Sequence, residues 1–250
     1  MSGIPGLFVV GTDTGVGKTR IAVEIARSLV REGRRVGVLK PVASGATRCG
    51  DAWRSADADA LALAIGVEPT EDVGPIAFAE PLAPTVAARR AGTLLTMKEV
   101  ERATFSAIRR WEVDLGAEFL VVEGVGGLLC PLAEGTTVAD LAIKLDYPLV
   151  VVARRGLGTL NHTQRTVEAA LFRSLRIAGV ILNGAEPTRD PIAEAENPAE
   201  LARRLGPLGV PILAELPYDP ANESTPVVMD GLNWYDRGSR SRFPVSIRIE

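Results

Sequence analysis

The sequence contains few of the residues that build several common functional sites. Its one histidine, His162, excludes a metal site made of several histidines within a single chain. Its two cysteines, Cys49 and Cys130, lie far apart and lack the C-x-x-C spacing of a zinc ribbon. Because a disulfide scaffold needs more cysteines than this, we expect a reducing compartment and a cytoplasmic location.

Long apolar runs and a basic excess are also missing. No run of about 20 apolar residues occurs, so we expect no transmembrane helix. The apolar run that begins at Leu7 ends at Gly11, too early for the core of a signal peptide. The formal net charge is -3, whereas a general nucleic-acid-binding protein shows a basic excess. The sequence therefore predicts neither a membrane nor a nucleic acid as partner.

Lysine is scarce among the 28 basic residues, most of which are arginine. The lysines are Lys18, Lys40, Lys98 and Lys144. Lys98 and Lys144 fall in helical patterns and are interpreted as surface residues. Lys18 and Lys40 lie in motifs where a compact ammonium among oxygen atoms suits the chemistry better than a planar guanidinium.

Short apolar runs alternate with longer amphipathic stretches along the chain. The predicted strands cover residues 7–11, 35–39, 119–122, 149–153, 177–183 and 211–214, and the predicted helices cover 18–32, 57–65, 96–111, 137–146, 159–174 and 190–206. This alternation is typical of an α/β fold with a mostly parallel sheet and helices on both faces. We expect a single domain over residues 1–250, with little readable pattern from about residue 230.

A glycine loop follows the first predicted strand and opens the next helix. It reads Gly-Thr-Asp-Thr-Gly-Val-Gly-Lys-Thr over residues 11–19. In this context backbone N–H groups and a helix N-terminus cradle phosphates, Lys18 reaches the β- and γ-phosphates, and Thr19 ligates Mg2+. The sequence therefore predicts a bound nucleoside triphosphate and a three-layer fold of the P-loop NTPase type.

The loop departs from stricter patterns at two positions. Counting back from Gly17, Thr12 stands where the strict P-loop has glycine. Asp13 stands where the ATPase switches of division-site selection and chromosome partition carry their signature lysine. This second departure counts against that class of switch.

Further candidate residues follow the later strands. Lys40 ends the second predicted strand and Ser44 follows in a turn, at the edge where open α/β sheets bind ligands. Alternatively, Lys40 extends its ammonium group to the surface. Glu123 follows a buried run and is a candidate metal ligand. Asp57 and Asp59 near the start of one helix are each a second candidate ligand or an N-cap.

Together these segments resemble the dethiobiotin synthetase family, ATP-dependent carboxylases of biotin biosynthesis. The matching segments are residues 11–19, Lys-Pro-Val-Ala-Ser-Gly at 40–45, Asp-Ala-Leu-Ala-Leu at 59–63, Val-Glu-Gly-Val-Gly-Gly-Leu at 122–128, Gly-Thr-Leu-Asn-His-Thr at 158–163, Ala-Gly-Val-Ile-Leu-Asn at 178–183 and Glu-Leu-Pro-Tyr at 215–218. The resemblance implies an ATP- and Mg2+-dependent cyclo-ligase. Its substrates would be 7,8-diaminopelargonic acid and CO2 or bicarbonate, joined to dethiobiotin through a carbamate and a carbamic-phosphoric anhydride.

The resemblance also implies roles for individual residues. Lys40, Lys18 and Thr14 would be catalytic, and Thr19, Asp59 and Glu123 would hold Mg2+. Ser44 would bind the substrate, whose carboxylate would be held in a homodimer by Gly158, Thr159, Leu160 and Asn161 of the other subunit. ATP would contact Gly15, Val16, Gly17, Lys18, Thr19, Asp59, Glu123, Gly124, Val125, Gly126, Asn183, Gly184, Pro217, Tyr218 and Asp219.

The chain departs from the family pattern at two further positions, and two other functions stay open. Thr85 stands where family members often carry histidine, and Gly15 where some carry glutamate. Cobyrinate amidotransferase relatives share the loop and sheet, but they also carry a glutaminase domain, for which 250 residues leave no room. A partition-type ATP switch is the non-enzymatic alternative, and the lack of a basic amphipathic C-terminal helix counts against it.

Overall fold

The secondary structure was obtained from a computed structural model, which describes residues 3–50, 52–187 and 190–218. The strands in these ranges are β1 Gly6–Gly11, β2 Val36–Leu39, β3 Val42–Ser44, β4 Thr47–Cys49, β5 Ala52–Arg54, β6 Ile76–Phe78, β7 Phe119–Gly127, β8 Pro131–Ala133, β9 Thr136–Thr137, β10 Leu149–Arg154, β11 Ile177–Asn183 and β12 Ile212–Leu216. The α-helices are α1 Lys18–Arg31, α2 Ala56–Ala64, α3 Pro84–Arg90, α4 Met97–Arg109, α5 Val138–Leu145, α6 Thr159–Phe172 and α7 Pro191–Leu205. A π-helical turn at Arg110–Asp114 follows α4, and a 3-10 turn at Gly206–Leu208 follows α7.

Six strands form the central sheet in the order β12-β11-β10-β1-β7-β2. Every neighbouring pair is parallel, with registers such as Val9 opposite Val150 and Val38 opposite Val121. All residues of β1 and β2 are buried, which explains why these strands are continuous apolar runs and not alternating patterns. The prediction of a mostly parallel sheet is confirmed.

Helices cover both faces of this sheet. The chain crosses from β1 toward the β2 edge through α1, and it crosses in the opposite direction through α4, α5, α6 and α7. Because crossovers between parallel strands are right-handed, the two directions of travel put these helices on opposite faces. The packing agrees with this layout, since α1 contacts α2 whereas α4 contacts α5 and α6 contacts α7. The predicted three-layer arrangement is therefore confirmed.

The sequence pattern located the long elements but missed the short ones. Each predicted strand and helix is present, although β7 continues through Gly124 and Gly126 to Gly127, beyond the predicted end at residue 122. The prediction missed α3, which begins at Pro84, and the small strand pairs β3 with β6, β4 with β5, and β8 with β9. The single domain over residues 1–250 stays a prediction. None of the helices in the described ranges is both long and apolar enough to span a membrane.

Candidate functional site

A cleft of about 520 Å3 lies where the C-terminal ends of the central strands meet. The predicted site residues that line it are Thr14, Gly15, Gly17, Lys18, Thr19, Lys40, Ser44, Glu123, Val125, Gly126, Asn183, Gly184 and Tyr218. A second cleft, of about 540 Å3, lies near the N-terminal ends of β2 and β7 against Trp111, and none of the predicted site residues lines it. The first cleft is at the edge where open α/β sheets bind ligands and is our candidate site.

The glycine loop leaves β1 and starts α1 with unpaired donors. Gly17 is the N-cap of α1 and has a φ of 88°, a left-handed conformation that glycine adopts without strain. Within the part of the chain that the structure describes, no side chain caps this helix, and its first turn contains no acidic residue. The first N–H groups of α1 are therefore left for an anionic ligand, which the positive end of the helix dipole also favours.

Two side chains from neighbouring strands fix the loop. Arg154 at the end of β10 donates from Nη2 to the carbonyl oxygen of Thr14 at 3.0 Å. The buried amide of Asn183, at the end of β11, donates from Nδ2 to the carbonyl oxygen of Val16 at 2.9 Å. Arg20 approaches the other side of that amide, with Nη1 3.5 Å from Oδ1. Arg154 is not among the residues predicted from the sequence, although it ends a buried strand and Lys40 directly follows one.

Lys40 is buried inside a cluster of oxygen atoms. Its Nζ atom lies 2.6 Å from Glu123 Oε1, 2.8 Å from Asp57 Oδ2 and 3.1 Å from the carbonyl oxygen of Gly124. The side chains of Lys40 and Glu123 are 2% and 1% exposed. The alternative in which Lys40 extends to the surface is therefore wrong. A buried charge is stable only when it is paired in this way, because the desolvation cost is otherwise too large.

Thr19 joins the same cluster from the start of α1. Its Oγ1 atom lies 2.8 Å from Glu123 Oε1 and 2.9 Å from Asp57 Oδ1. Since a hydroxyl has one hydrogen, Thr19 donates to one of these carboxylates at a time. Lys18, its neighbour, donates from Nζ to the carbonyl oxygen of Asp13 at 3.1 Å.

The structure corrects the choice between the two aspartates of α2. Asp57 contacts Thr19 and Lys40, whereas Asp59 pairs with Arg54 at 3.1 Å. Two residues that are adjacent but one on an α-helix point about 200° apart, so both carboxylates cannot face the same cleft. Asp57 lines the cleft, so it replaces Asp59 as the candidate metal ligand.

Burial and neighbouring charges shift the pKa values of this cluster. Burial, and after it the charge of Lys40, lowers the pKa of Lys18. Burial opposes the charged form of Lys40, but the Glu123 and Asp57 carboxylates outweigh it and raise the pKa of Lys40. Burial opposes the charge of Asp57 too, and Lys40 outweighs it and lowers the pKa of that carboxyl.

Glu123 is subject to opposing influences. Burial raises the pKa of the Glu123 carboxyl, against the attraction of the Lys40 ammonium. That rise favours a neutral acid, whereas the raised pKa of Lys40 favours a charged pair. We describe the contact as an ion pair because the ammonium and the Thr19 hydroxyl both approach the same oxygen, Oε1, to within hydrogen-bond distance.

The donor set around Thr19 fits a magnesium ion. Two carboxylates and a hydroxyl supply the hard oxygen ligands that Mg2+ prefers. Glu123 Oε2 is buried and has no hydrogen-bond partner among the described residues, which leaves an acceptor for a cation. Within the described ranges no three His, Cys, Asp or Glu side chains group as metal ligands. An ion at Thr19 would therefore have few protein ligands and take the others from phosphate and water, as is usual for Mg2+ in phosphate-transfer sites.

Several predicted residues lie beside the cleft or away from it. Val16 and Gly124 contribute backbone carbonyl groups, as described above, and Pro217 lies against Gly184. The Gly158–Asn161 segment, at the N-terminus of α6, does not line the cleft, and its preceding residue Leu157 is 82% exposed. Asp219 lies outside the described residues.

The sequence is similar to a group of ATP-dependent enzymes over most of its length. Residues 5–225 match the AAA domain family. The chain is 47% identical over 203 residues to the ATP-dependent dethiobiotin synthetase BioD of Anaeromyxobacter dehalogenans (strain 2CP-C), a match that covers 79% of this chain and 84% of that protein. The protein of the same name from Bacillus subtilis (strain 168) is 40% identical over 216 residues, covering 85% of this chain and 87% of that protein. Among solved structures, the cell division protein FtsY of Thermotoga maritima is 19% identical with a TM-score of 0.44, covering 88% of this chain and 66% of that chain.

Proposed function

Because the chain belongs to the dethiobiotin synthetase family, we propose that it converts 7,8-diaminopelargonic acid and CO2 into dethiobiotin at the expense of ATP. As a member of that family it is an ATP-dependent ligase of the cyclo-ligase type. The substrate, the intermediates, the metal and the assembly described below are parts of the proposal.

The observation that carries the proposal is the convergence of two lysines on one cleft. Lys18 lies at the uncapped start of α1, where a triphosphate would sit, and Lys40 lies beside it between two carboxylates. A reaction that transfers a phosphoryl group to an anionic acceptor needs positive charge at both the donor and the acceptor. Lys18 would supply the positive charge at the phosphoryl donor, and Lys40 would supply it at the acceptor.

The proposed reaction has three balanced steps. One amine of the diamine adds to CO2 and loses a proton, which gives a carbamate. A carbamate oxygen attacks the γ-phosphorus of ATP, and ADP leaves with the bonding electrons of the β–γ bridge. The second amine attacks the carbonyl carbon of the resulting carbamic-phosphoric anhydride, phosphate leaves, and loss of a proton completes the cyclic urea. Because the protein forms no covalent bond, catalysis depends on positioning and charge stabilisation.

Each residue of the cleft has a role in this scheme. Lys18 and the first N–H groups of α1 would bind the β- and γ-phosphates and offset charge that develops on the transferred group. Lys40 would hold the carbamate oxygen against the γ-phosphate. Thr14 and Ser44 line the same cleft and would donate hydrogen bonds to the carbamate or the diamine. Asn183, Gly184 and Tyr218 line the same cleft, Pro217 lies against Gly184, and these residues would contact the nucleotide base.

Thr19, Asp57 and Glu123 would hold Mg2+ at the phosphates. When bound, the ion would neutralise negative charge that develops on the phosphates. The protein side chains do the orienting, since Thr19 is fixed by the start of α1 and Glu123 by the buried strand β7. Asp57 would therefore have the role of metal ligand that the family resemblance implied for Asp59.

The two alternative functions have weaker support. The two curated relatives reported above carry the name of a dethiobiotin synthetase. A partition-type switch would bind ATP and dimerise without any small-molecule substrate. A cytoplasmic location stays a prediction that rests on the cysteine pattern.

Product formation tests the main proposal directly. Purified protein with the diamine, bicarbonate and MgATP should give ADP and dethiobiotin in equal amounts, measured by mass spectrometry and a coupled ADP assay. The proposal fails if ATP hydrolysis proceeds at the same rate without the diamine and no dethiobiotin forms. ATP-dependent dimerisation in the absence of the diamine would instead favour the switch.

The two aspartates of α2 give a matched test of the metal site. We expect Asp57→Asn to raise the Mg2+ concentration needed for half-maximal activity by about tenfold or more, because it removes one ligand carboxylate. Asp59→Asn removes an identical charge from the same helix and should change that concentration by less than about twofold, since Asp59 pairs with Arg54 at a partly exposed position. A larger effect from Asp59→Asn would return the ligand role to that residue.

We also propose a homodimer in which the start of α6 completes the partner's substrate site. This helix begins at Gly158, which has a φ of 91°, and no side chain caps it. Its first N–H groups would bind the substrate carboxylate through the dipole of the helix. The segment lies outside the protein's own cleft, where a second copy could reach it, and Leu157 beside it is 82% exposed.

Mixing two inactive variants tests this arrangement. Lys40→Gln disables the cleft, and Asn161→Asp places a negative charge where the substrate carboxylate would bind. In a mixed dimer one site contains both substitutions and the other contains neither. If half of the dimers are mixed, co-expression should restore roughly a quarter of wild-type activity. A protein that sediments as a monomer under assay conditions, or a mixture with no recovered activity, would contradict the shared site.

A further inference from the structure

Lys40 contacts both carboxylates that are proposed to hold the metal ion. Its ammonium contacts one oxygen of each carboxylate, Glu123 Oε1 at 2.6 Å and Asp57 Oδ2 at 2.8 Å. The same Glu123 oxygen is also 2.8 Å from the Thr19 hydroxyl, the third proposed ligand. Every protein ligand proposed for Mg2+ is therefore in direct contact with Lys40 or with an oxygen atom that Lys40 contacts.

The two cations compete for these carboxylates. Mg2+ binds its ligands at about 2.0–2.1 Å, so an ammonium hydrogen-bonded to the same oxygens would lie within about 5 Å of the ion. Two buried positive ions this close repel strongly, because little water separates them. Glu123 is buried and Asp57 is half-exposed, and the Lys40 ammonium offsets the negative charge of the two carboxylates when no other cation is present.

We propose that Lys40 is an internal counterion of the two metal-site carboxylates and is released toward the reacting phosphate only when a metal ion takes its place. The inference rests on the magnesium site of the proposed function and adds a second role to Lys40. In the absence of metal the ammonium keeps Glu123 and Asp57 from repelling each other. Once the cation binds with the triphosphate, Lys40 loses both partners and turns to the nearest remaining anion, which is the γ-phosphate or the carbamate.

The exchange has a consequence for the order of binding. Lys40 is not free to hold a carbamate while it is paired with two carboxylates. The site would therefore bind the carbamate well only after the metal and nucleotide have bound. This couples substrate capture to the presence of the phosphoryl donor, so that the carbamate is not held at a site that cannot phosphorylate it.

Metal affinity in the absence of nucleotide is the main test. Mg2+ is titrated into metal-free protein and followed by calorimetry, for wild type, Lys40→Met and the control Lys144→Met. Methionine keeps most of the length of lysine and removes its charge. We expect Lys40→Met to bind Mg2+ about tenfold or more tightly than wild type, because no internal cation competes for the carboxylates. Lys144 is 53% exposed and pairs with Glu101 on the surface, so Lys144→Met should bind Mg2+ as wild type does.

Equal Mg2+ affinity in wild type and Lys40→Met would overturn the inference while leaving the metal site intact. No Mg2+ binding in either protein, with or without a non-hydrolysable ATP analogue, would overturn the metal site and the inference with it. Dethiobiotin formation is measured in a separate assay. A failure of this inference can therefore be distinguished from a failure of the proposed function. If Lys40→Met does not fold, Lys40→Gln retains a hydrogen-bonding group and should show the same direction of change.

A second measurement uses the wild-type protein alone. In a crystal with Mn2+ and the ATP analogue, the anomalous signal of manganese identifies the metal position. We expect Lys40 Nζ to lie more than about 3.5 Å from both carboxylates, beyond hydrogen-bond distance. An ammonium that still contacts Glu123 and Asp57 beside bound Mn2+ would refute the exchange.

Discussion

Replacing Lys40 by glutamine abolishes dethiobiotin formation, we expect, while nucleotide binding persists. The substitution removes the only positive charge that contacts both Glu123 and Asp57 in the described part of the chain. In the proposed reaction it also removes the group that holds the carbamate against the γ-phosphate. Loss of one such preorganised donor lowers kcat by about 10²–10³-fold, and loss of a full charge should reach the upper end of this range.

The measurement compares kcat with nucleotide affinity. The turnover rate is followed by product formation, and the dissociation constant of a non-hydrolysable ATP analogue by calorimetry. The phosphate contacts of Lys18 and of the start of α1 are unchanged in this variant, so the dissociation constant should change by less than about tenfold. Lys144→Gln is the control for removal of a lysine. Near-normal turnover of Lys40→Gln would remove Lys40 from the mechanism.

The Gly17→Ala variant should lose nucleotide binding. Gly17 has a φ of 88°, which costs an L-residue about 1–2 kcal/mol. A Cβ atom there would also overlap the amide of Asn183, which holds the loop through the carbonyl of Val16. The loop would have to leave the end of β11 and open the phosphate cradle. We expect the dissociation constant for ATP to rise by about 100-fold or more.

Gly33→Ala is a matched control for this change. Gly33 follows α1 with a φ of 80°, and a Cβ atom there would meet no heavy atom within 4 Å. It therefore has the same backbone penalty without the overlap, and should lower the free energy of unfolding by about 1–2 kcal/mol with ATP binding unchanged. Urea denaturation and ATP titration of both variants separate the two effects. An equal loss of ATP affinity in Gly33→Ala would show that global destabilisation, not the loop, explains the result.

The parts of the fold that sequence predicts well are those specified locally. The β1 strand, the glycine loop and α1 follow one another within 26 residues, from Gly6 to Arg31, and each carries its own pattern. The short α3 and the small strand pairs have no such pattern, since β4 is exposed along its whole length and is three residues long. Periodicity needs a longer element than this to be visible.

The choice between Asp57 and Asp59 shows a different limit. The sequence of α2, Ala-Asp-Ala-Asp-Ala-Leu-Ala-Leu-Ala, alternates with a period of two and gives the helix no distinct apolar face. In the structure Leu61 is buried and Leu63 is exposed, which places Asp57 on the inner side, one turn before Leu61. Packing of α2 against α1 decides this orientation, and it is not a local property of the sequence.

The contacts of Lys40 needed tertiary information too. Its position at the end of a strand was readable, but its partners depend on which strand lies beside β2. That strand is β7, and its parallel register places Leu39 opposite Val122, next to Glu123. Residues more than 80 positions apart are thereby brought into an ion pair. No spacing within the chain signals such a pairing.

The position of β7 between β1 and β2 also sets when the site forms during folding. The glycine loop and Lys40 belong to the first unit of the chain, β1-α1-β2, whose two strands are not neighbours in the sheet. In the complete sheet they flank β7, a strand from much later in the chain that carries Glu123. Such long-range parallel pairing is slow. A ligand that needs Thr19, Lys40 and Glu123 together therefore stabilises only chains whose sheet is complete.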